Sequence, residues 1–264
     1  VRDGDSWKIQ TDVHPDSRLE QPGAQPAPSG SPRPSVAPRP ARSGTSHNWS
    51  GYSATGGKFT GVSATLTVPQ PVAGSGIAAD AAWVGVGGVR SRDLIQAGTE
   101  QTVLPNGRVS YQAWIEMLPQ VSHPVQLRIT PGDSVTVSLK EQQENSWLIS
   151  FKNNTTGQTF QTTQEYESSH SSAEWVEEAP SGRRGVLTLS NFGTVKFSNA
   201  SAMKDGKTVS VADAGGRAIT MIDRNDQPIA QPSQLGSDGA SFSVTRVSAP
   251  ASSSPARPAE RPAA

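Results

Sequence analysis

Two stretches, Leu94-Ile95-Gln96-Ala97-Gly98-Thr99-Glu100 and Tyr111-Gln112-Ala113-Trp114-Ile115-Glu116-Met117, decide the fold. Successive side chains of a β-strand point to opposite faces of a sheet. The second stretch therefore sorts into Tyr111, Ala113, Ile115 and Met117 on one side, which reads as core, and Gln112, Trp114 and Glu116 on the other, which reads as the wall of a site. In the first stretch Gln96, Gly98 and Glu100 share a face, and Gly98 leaves open space between two polar groups. Pro105-Asn106-Gly107 lies between the two and supplies the turn chemistry of a hairpin.

Working outward, short β-branched and aromatic runs recur between Gly, Pro, Asn and Asp, and no segment sustains a 3.6-residue apolar period. Strands are predicted over residues 62–68, 81–86, 94–102, 109–117, 125–129, 134–139, 147–153, 160–166, 173–177, 194–199, 218–222 and 241–247. Asp205-Gly206 and Asp238-Gly239 offer the positive φ that tight turns require. The reading is all-β: two packed sheets or a closed barrel. Trp83 shares its face with Gly85 and Gly87, and Glu174, Val176 and Glu178 align on one side of their strand. Parity alone does not say which face of that strand looks into a cleft.

The ends differ in kind. Residues 21–44 are almost entirely Pro, Ala, Ser, Gly and Arg, and the same bias returns from Ala249 to Ala264, with too few large apolar groups to offset the entropy of ordering. The expected division is a disordered segment and Pro-rich linker over 1–45, one folded domain over 46–247, and a disordered tail over 248–264. Across 264 residues, 23 Lys and Arg balance 23 Asp and Glu, so no basic field is present to hold nucleic acid. Absence of cysteine excludes disulfides, thiol nucleophiles and Cys-based zinc sites. No run approaches the ~18 apolar residues of a membrane helix.

Common catalytic signatures are missing. There is no Gly-x-Ser-x-Gly elbow, no His-Glu-x-x-His helix and no phosphate-cradling loop, since Gly85-Val86-Gly87-Gly88 opens no helix. His14, His47, His123 and His170 read as exposed loop residues, which makes a catalytic zinc unexpected. What remains is carboxylates and tryptophans on strand faces.

Taken in order, these segments resemble the eqolisin, or glutamic peptidase, family. They are Asn48-Trp49-Ser50-Gly51-Tyr52, Ala64-Thr65-Leu66-Thr67-Val68-Pro69, Ala82-Trp83-Val84-Gly85-Val86-Gly87-Gly88, Leu94-Ile95-Gln96-Ala97-Gly98 and Tyr111 through Pro119. Gly132-Asp133-Ser134, Asn154-Thr155-Thr156-Gly157 and Ala173-Glu174-Trp175-Val176 complete the series. The resemblance implies a lectin-like sandwich of two antiparallel sheets with a concave substrate cleft. It also implies an acid endopeptidase without cofactor or metal, acting on polypeptides with neither nucleic acid nor membrane as partner, secreted and monomeric. It places the catalytic glutamine at Gln96 and the catalytic glutamate at Glu174, with Trp83, Glu100, Trp114 and Glu116 as substrate-binding neighbours.

Two positions depart from the better-known fungal pattern: Gly87 and Glu100 each stand where an aspartate is usual. With neutral charge and no cysteine, the chain looks like a bacterial-type member. Two other readings suit a sandwich bearing tryptophans and carboxylates. One is a carbohydrate-binding module, and the other a glycoside hydrolase using two of Glu100, Glu116, Glu174 and Glu178.

Overall fold

The computed structural model describes residues 44–247 apart from 74–75 and 183–184, together with the backbone of 2–3 and 6–7. The expectations for the rest of the N-terminal segment and for residues 248–264 fall outside the described residues. Among the described residues there is no helix.

Seven strands form the sheet that matters for function. They are β1 (Trp49–Thr55), β3 (Ala78–Gly87), β4 (Leu94–Val103), β5 (Val109–Met117), β9 (Ser172–Glu178), β11 (Arg217–Ile222) and the short His123–Pro124. The second sheet holds β2 (Phe59–Thr67), β6 (Ser134–Gln143), β7 (Ser146–Asn153), β8 (Thr159–Glu165), β10 (Thr194–Lys204), β12 (Pro228–Pro232) and β13 (Phe242–Arg246). The order across the first sheet is β11-β1-β9-β3-β4-β5, all antiparallel, and β11 also pairs with β12, so the two sheets join along that strand. The protein is an all-β sandwich of antiparallel strands.

Between the sheets lies one large apolar core. β3 contributes Ala82, Val84 and Val86, β4 contributes Ile95 and Ala97, and β5 contributes Ala113, Ile115 and Met117, against Leu66, Val137, Ile149 and Phe197 from the second sheet. These are the residues that parity assigns to the core side. Trp175 and Trp147 are fully buried here with their indole N–H groups satisfied, by Ser63 O at 3.0 Å and by Tyr166 O at 3.0 Å.

The turns carry the expected backbone. Asp205 and Gly206 have φ of +50° and +78° between β10 and Lys207–Ser210, and Gly107 has +79° between β4 and β5. One predicted strand is not a strand: residues 125–129 keep the alternation, with Val125, Leu127 and Ile129 buried, but Leu127 N–H donates back to Val125 O and breaks the ladder. Conversely, β1 was not among the predicted strands, since its first six residues are all buried and show no alternation.

Strands β3, β4 and β9 are buried on both faces. On the face away from the core, Trp49, Trp83, Trp114, Leu94, Leu118, Val176 and Ile219 form a second cluster. Gly98 makes that face possible: a Cβ there would lie 2.1 Å from Ala82 O and 2.6 Å from Trp83 Cβ. Gly98→Ala is therefore expected to destabilise the protein by about 2–3 kcal/mol, since backbone must move to admit the methyl. An unchanged denaturant midpoint would contradict the packing described.

Candidate active site

Strand register arranges the outer face of the first sheet into transverse rows. In the central row Ser53 on β1 pairs with Glu174 on β9, Glu174 with Gly85 on β3, Gly85 with Gln96 on β4, and Gln96 with Glu116 on β5. Residues paired across antiparallel strands point to the same face, so Glu174, Gln96 and Glu116 share it. Glu174 and Gln96 stand two strand spacings apart, about 9.5 Å between backbones. The one position between them in the row is Gly85, and the space a Cβ would take there is bordered by Leu94 Cδ1 and Trp83 Cζ3, each at 2.9 Å.

The adjacent row runs Gly51, Val176, Trp83, Gly98, Trp114, so each indole lies beside a glycine or across one. The next pairs Trp49 with Glu178, Glu178 with Ala81, Ala81 with Glu100 and Glu100 with Gln112. All six residues singled out in the sequence, Gln96, Glu174, Trp83, Glu100, Trp114 and Glu116, thus fall on one face within three rows.

Each has a definable environment. Gln96 Nε2 donates to Glu116 Oε2 at 2.5 Å, while Gln96 Oε1 is buried with no partner in the protein. Both carboxylate oxygens of Glu174 are likewise buried without a protein hydrogen bond. Burial pushes the Glu174 carboxyl well above the ordinary glutamate range, and the negative charge of Asp93 adds to this. The nearby Ser172 hydroxyl opposes the shift in part, although it forms no well-directed hydrogen bond with either oxygen. Glu100 is raised to about 7 by burial, offset in part by Thr102 and Gln112; Thr102 Oγ1 donates to Glu100 Oε1 at 2.9 Å.

Glu178 fixes one of the tryptophans: its Oε2 accepts from Trp83 Nε1 at 2.8 Å and its Oε1 from Asn48 Nδ2 at 3.1 Å. Trp49 packs edge-on against Trp83, ring centroids 5.1 Å apart. Asn48, Ser53 and Gly85 were not among the predicted site residues, and Glu178 was named only for the glycoside hydrolase reading. For Glu178 the signal was available, since it shares parity with Glu174; for Ser53 and Gly85 only the register reveals the row.

Glu177 lies on the opposite face, toward the core, with both oxygens buried and unpartnered. It sits near Asp80, whose carboxyl accepts a short hydrogen bond from Ser190. Burial raises both carboxyls; the charges of Asp80 and Glu178 add to the rise at Glu177, and that of Glu100 adds to the rise at Asp80, which reaches about 8 although Ser190 opposes it. Among the described residues no group of three or more His, Asp or Glu is arranged to hold a metal ion, and no helix is long and apolar enough to cross a membrane.

Chemically, the central row offers a carboxylate able to exchange a proton and an amide able to donate and accept, in a setting shielded from bulk solvent. A profile of the Peptidase A4 family matches residues 47–248. Scytalidopepsin B of Scytalidium lignicola is 34% identical over 202 residues, 72% of this chain and 75% of that protein. Aspergillopepsin-2 of Aspergillus niger is 29% identical over 193 residues, 64% of this chain and 68% of that one. A crystal structure of scytalido-glutamic peptidase with a transition state analog inhibitor aligns with a TM-score of 0.64 at 29% identity, covering 76% of this chain and 98% of that chain.

Proposed function

The chain belongs to the Peptidase A4, or eqolisin, family and is a glutamic-type endopeptidase, and we propose that Glu174 and Gln96 are the pair that hydrolyses the peptide bond, in acid. The observation that carries this reading is the row Glu174, Gly85, Gln96: two buried polar side chains with unpartnered atoms, on one face, with only a glycine between them in the register.

Amide hydrolysis needs an activated water, a stabiliser for the oxyanion and a proton for the leaving amine. Glu174 as carboxylate takes a proton from water as its oxygen attacks the carbonyl carbon. Glu116 accepts one Nε2–H of Gln96 and so fixes the amide; Gln96 Oε1 is left to accept from the water and the second Nε2–H to donate to the oxyanion. When the tetrahedral intermediate collapses, the C–N bond breaks and Glu174 returns its proton to the nitrogen, giving a carboxylic acid and an amine. Trp83, braced by Glu178 and Trp49, and Trp114 wall in the polypeptide, and Glu100 and Glu116 support the polar side of the site.

A single carboxyl that serves as base and then as acid works best near its own pKa. Carboxyls raised by burial also favour the folded state at acidic pH. The acid stability of the fold supports an acid optimum, and with it work outside the neutral interior of a cell, while the raised Glu174 carboxyl sets the working range above that of an ordinary glutamate. The test is the pH dependence of kcat/KM on a denatured protein between about pH 2 and pH 7, with a metal chelator present. The expected profile has its maximum below neutrality and is unaffected by the chelator. A maximum above pH 7, or loss of activity to the chelator, would overturn this mechanism.

A further inference from the structure

Residues 88–93 connect β3 to β4, and the last of them is Asp93. A Cβ built at Gly87 would lie 2.7 Å from Asp93 Oδ2, and Gly87 has φ of +95°. Position 87 carries no side chain, and the Asp93 carboxylate and backbone carbonyl, each 2.7 Å from that point, share the space one would fill. Gly87 is two residues along β3 from Gly85, the partner of Glu174, so that space is on the same face as Glu174.

The carboxylate is held there. Oδ2 accepts from Ser169 N–H at 2.7 Å and from Ser168 Oγ at 3.2 Å. Around it Ser169 Oγ donates to Ser91 Oγ at 3.0 Å and lies 2.9 Å from Ser171 Oγ, and Gly88 N–H donates to Ser91 Oγ at 3.2 Å. Residues 168–171 run directly into β9, the strand that carries Glu174. The loop that bears Asp93 is thus tied to the segment that positions the base.

We propose that Asp93 is a positioning residue of the hydrolytic site: seated over Gly87 and clasped by residues 168–169, its carboxylate acts on Glu174 and tunes the pH range in which Glu174 acts. This rests on Glu174 being the base. A purely loop-closing role would satisfy the same serines but would place no charge on Glu174. The electrostatics favour the stronger role, since Asp93 is the charged neighbour that adds to the effect of burial on Glu174.

Other ionisable groups on this face are committed elsewhere or exposed. Glu116 holds Gln96, Glu178 holds Asn48 and Trp83, and Glu100 accepts from Thr102. Tyr166 accepts from Leu94 N–H at 2.7 Å and donates to Leu118 O at 2.8 Å. Arg217 pairs with Ser53 at the far end of the row and is exposed, as are Arg90 and Arg92 of the connecting loop.

The experiment compares the pH dependence of kcat/KM in wild type, Asp93→Asn and Asp93→Glu, and follows the Glu174 carboxyl directly by infrared difference against Glu174→Gln. Removing the charge should move the ascending limb of the profile and the Glu174 titration to lower pH by about one unit, while Asp93→Glu should restore the wild-type position. An unmoved limb and titration in folded Asp93→Asn would overturn the inference whatever happens to kcat. Should Asp93→Asn not fold, Ser168→Ala loosens one of the two contacts, and a smaller shift in the same direction is expected; none would overturn it. Glu174→Gln separates the two ideas. An active Glu174→Gln enzyme removes the base and the inference together, whereas an inactive one with an unshifted Asp93→Asn profile removes only the inference.

Discussion

Glu174→Gln is expected to lower kcat/KM on a denatured protein by about 10³-fold or more, because it removes the group that both accepts and returns the proton. The substitution is nearly isosteric and replaces a buried, raised carboxyl with a neutral amide. Thermal stability near neutral pH should therefore rise, or at least hold, while activity disappears. That opposition of signs separates loss of chemistry from loss of fold. Gln96→Ala should cost about 10²–10³-fold, the usual effect of removing one oxyanion donor, and it also frees Glu116 from the amide it orients. Wild-type kinetics in either folded variant would place the chemistry elsewhere.

Stability should fall steeply as pH rises from acid to neutral. Asp80, Glu100, Glu174 and Glu177 are all buried and all raised, so through the window above their unfolded pKa values the folded chain binds more protons than the unfolded one. Their contribution is fully present below about pH 4, where both states are protonated. It is lost as pH passes through the folded values of about 7 for Glu100 and about 8 for Asp80. For Glu100 alone this is on the order of 3 kcal/mol. Melting temperature followed from pH 3 to pH 8 should be highest in acid and should decline toward neutrality. Glu177→Gln, which removes a buried and raised carboxyl from the core face, should flatten that decline. A melting temperature that peaks at pH 7–8 would contradict the burial of these groups.

Much of the site could be read from parity. Gln96, Glu100, Trp114 and Glu116 alternate against small and apolar neighbours, so their face is marked before any partner strand is known. For Glu174 both faces of the strand carry glutamate and a large apolar residue, Val176 and Glu178 on its own side and Trp175 and Glu177 on the other, and only its pairing with Gly85 sets it beside Gln96. The strand Trp49–Thr55 escaped for a related reason: buried on both faces, it has no polar side to alternate with. Residues 125–129 erred the other way, with the alternation of a strand but a backbone turned by its own hydrogen bond.

Long-range placement was the part that local pattern could not supply. Gly87 stands where an aspartate is usual in fungal relatives, and the sequence offers nothing to show what replaces it. In the structure Asp93, six residues on and across a turn, fills that space. Glu100, the second departure, remains on the working face, held by Thr102. A carboxylate supplied from a loop is invisible to strand periodicity, because its position depends on the serines of a segment more than seventy residues away.

The most direct test compares kcat/KM of Glu174→Gln with that of Glu177→Gln at the acid optimum. The two glutamates are neighbours on β9, both fully buried and both raised, and differ chiefly in the face they occupy. Assigning the chemistry to the Glu174, Gly85, Gln96 row predicts an inactive Glu174→Gln and a Glu177→Gln within a few-fold of wild type. An active Glu174→Gln, or the reverse ranking, would contradict it.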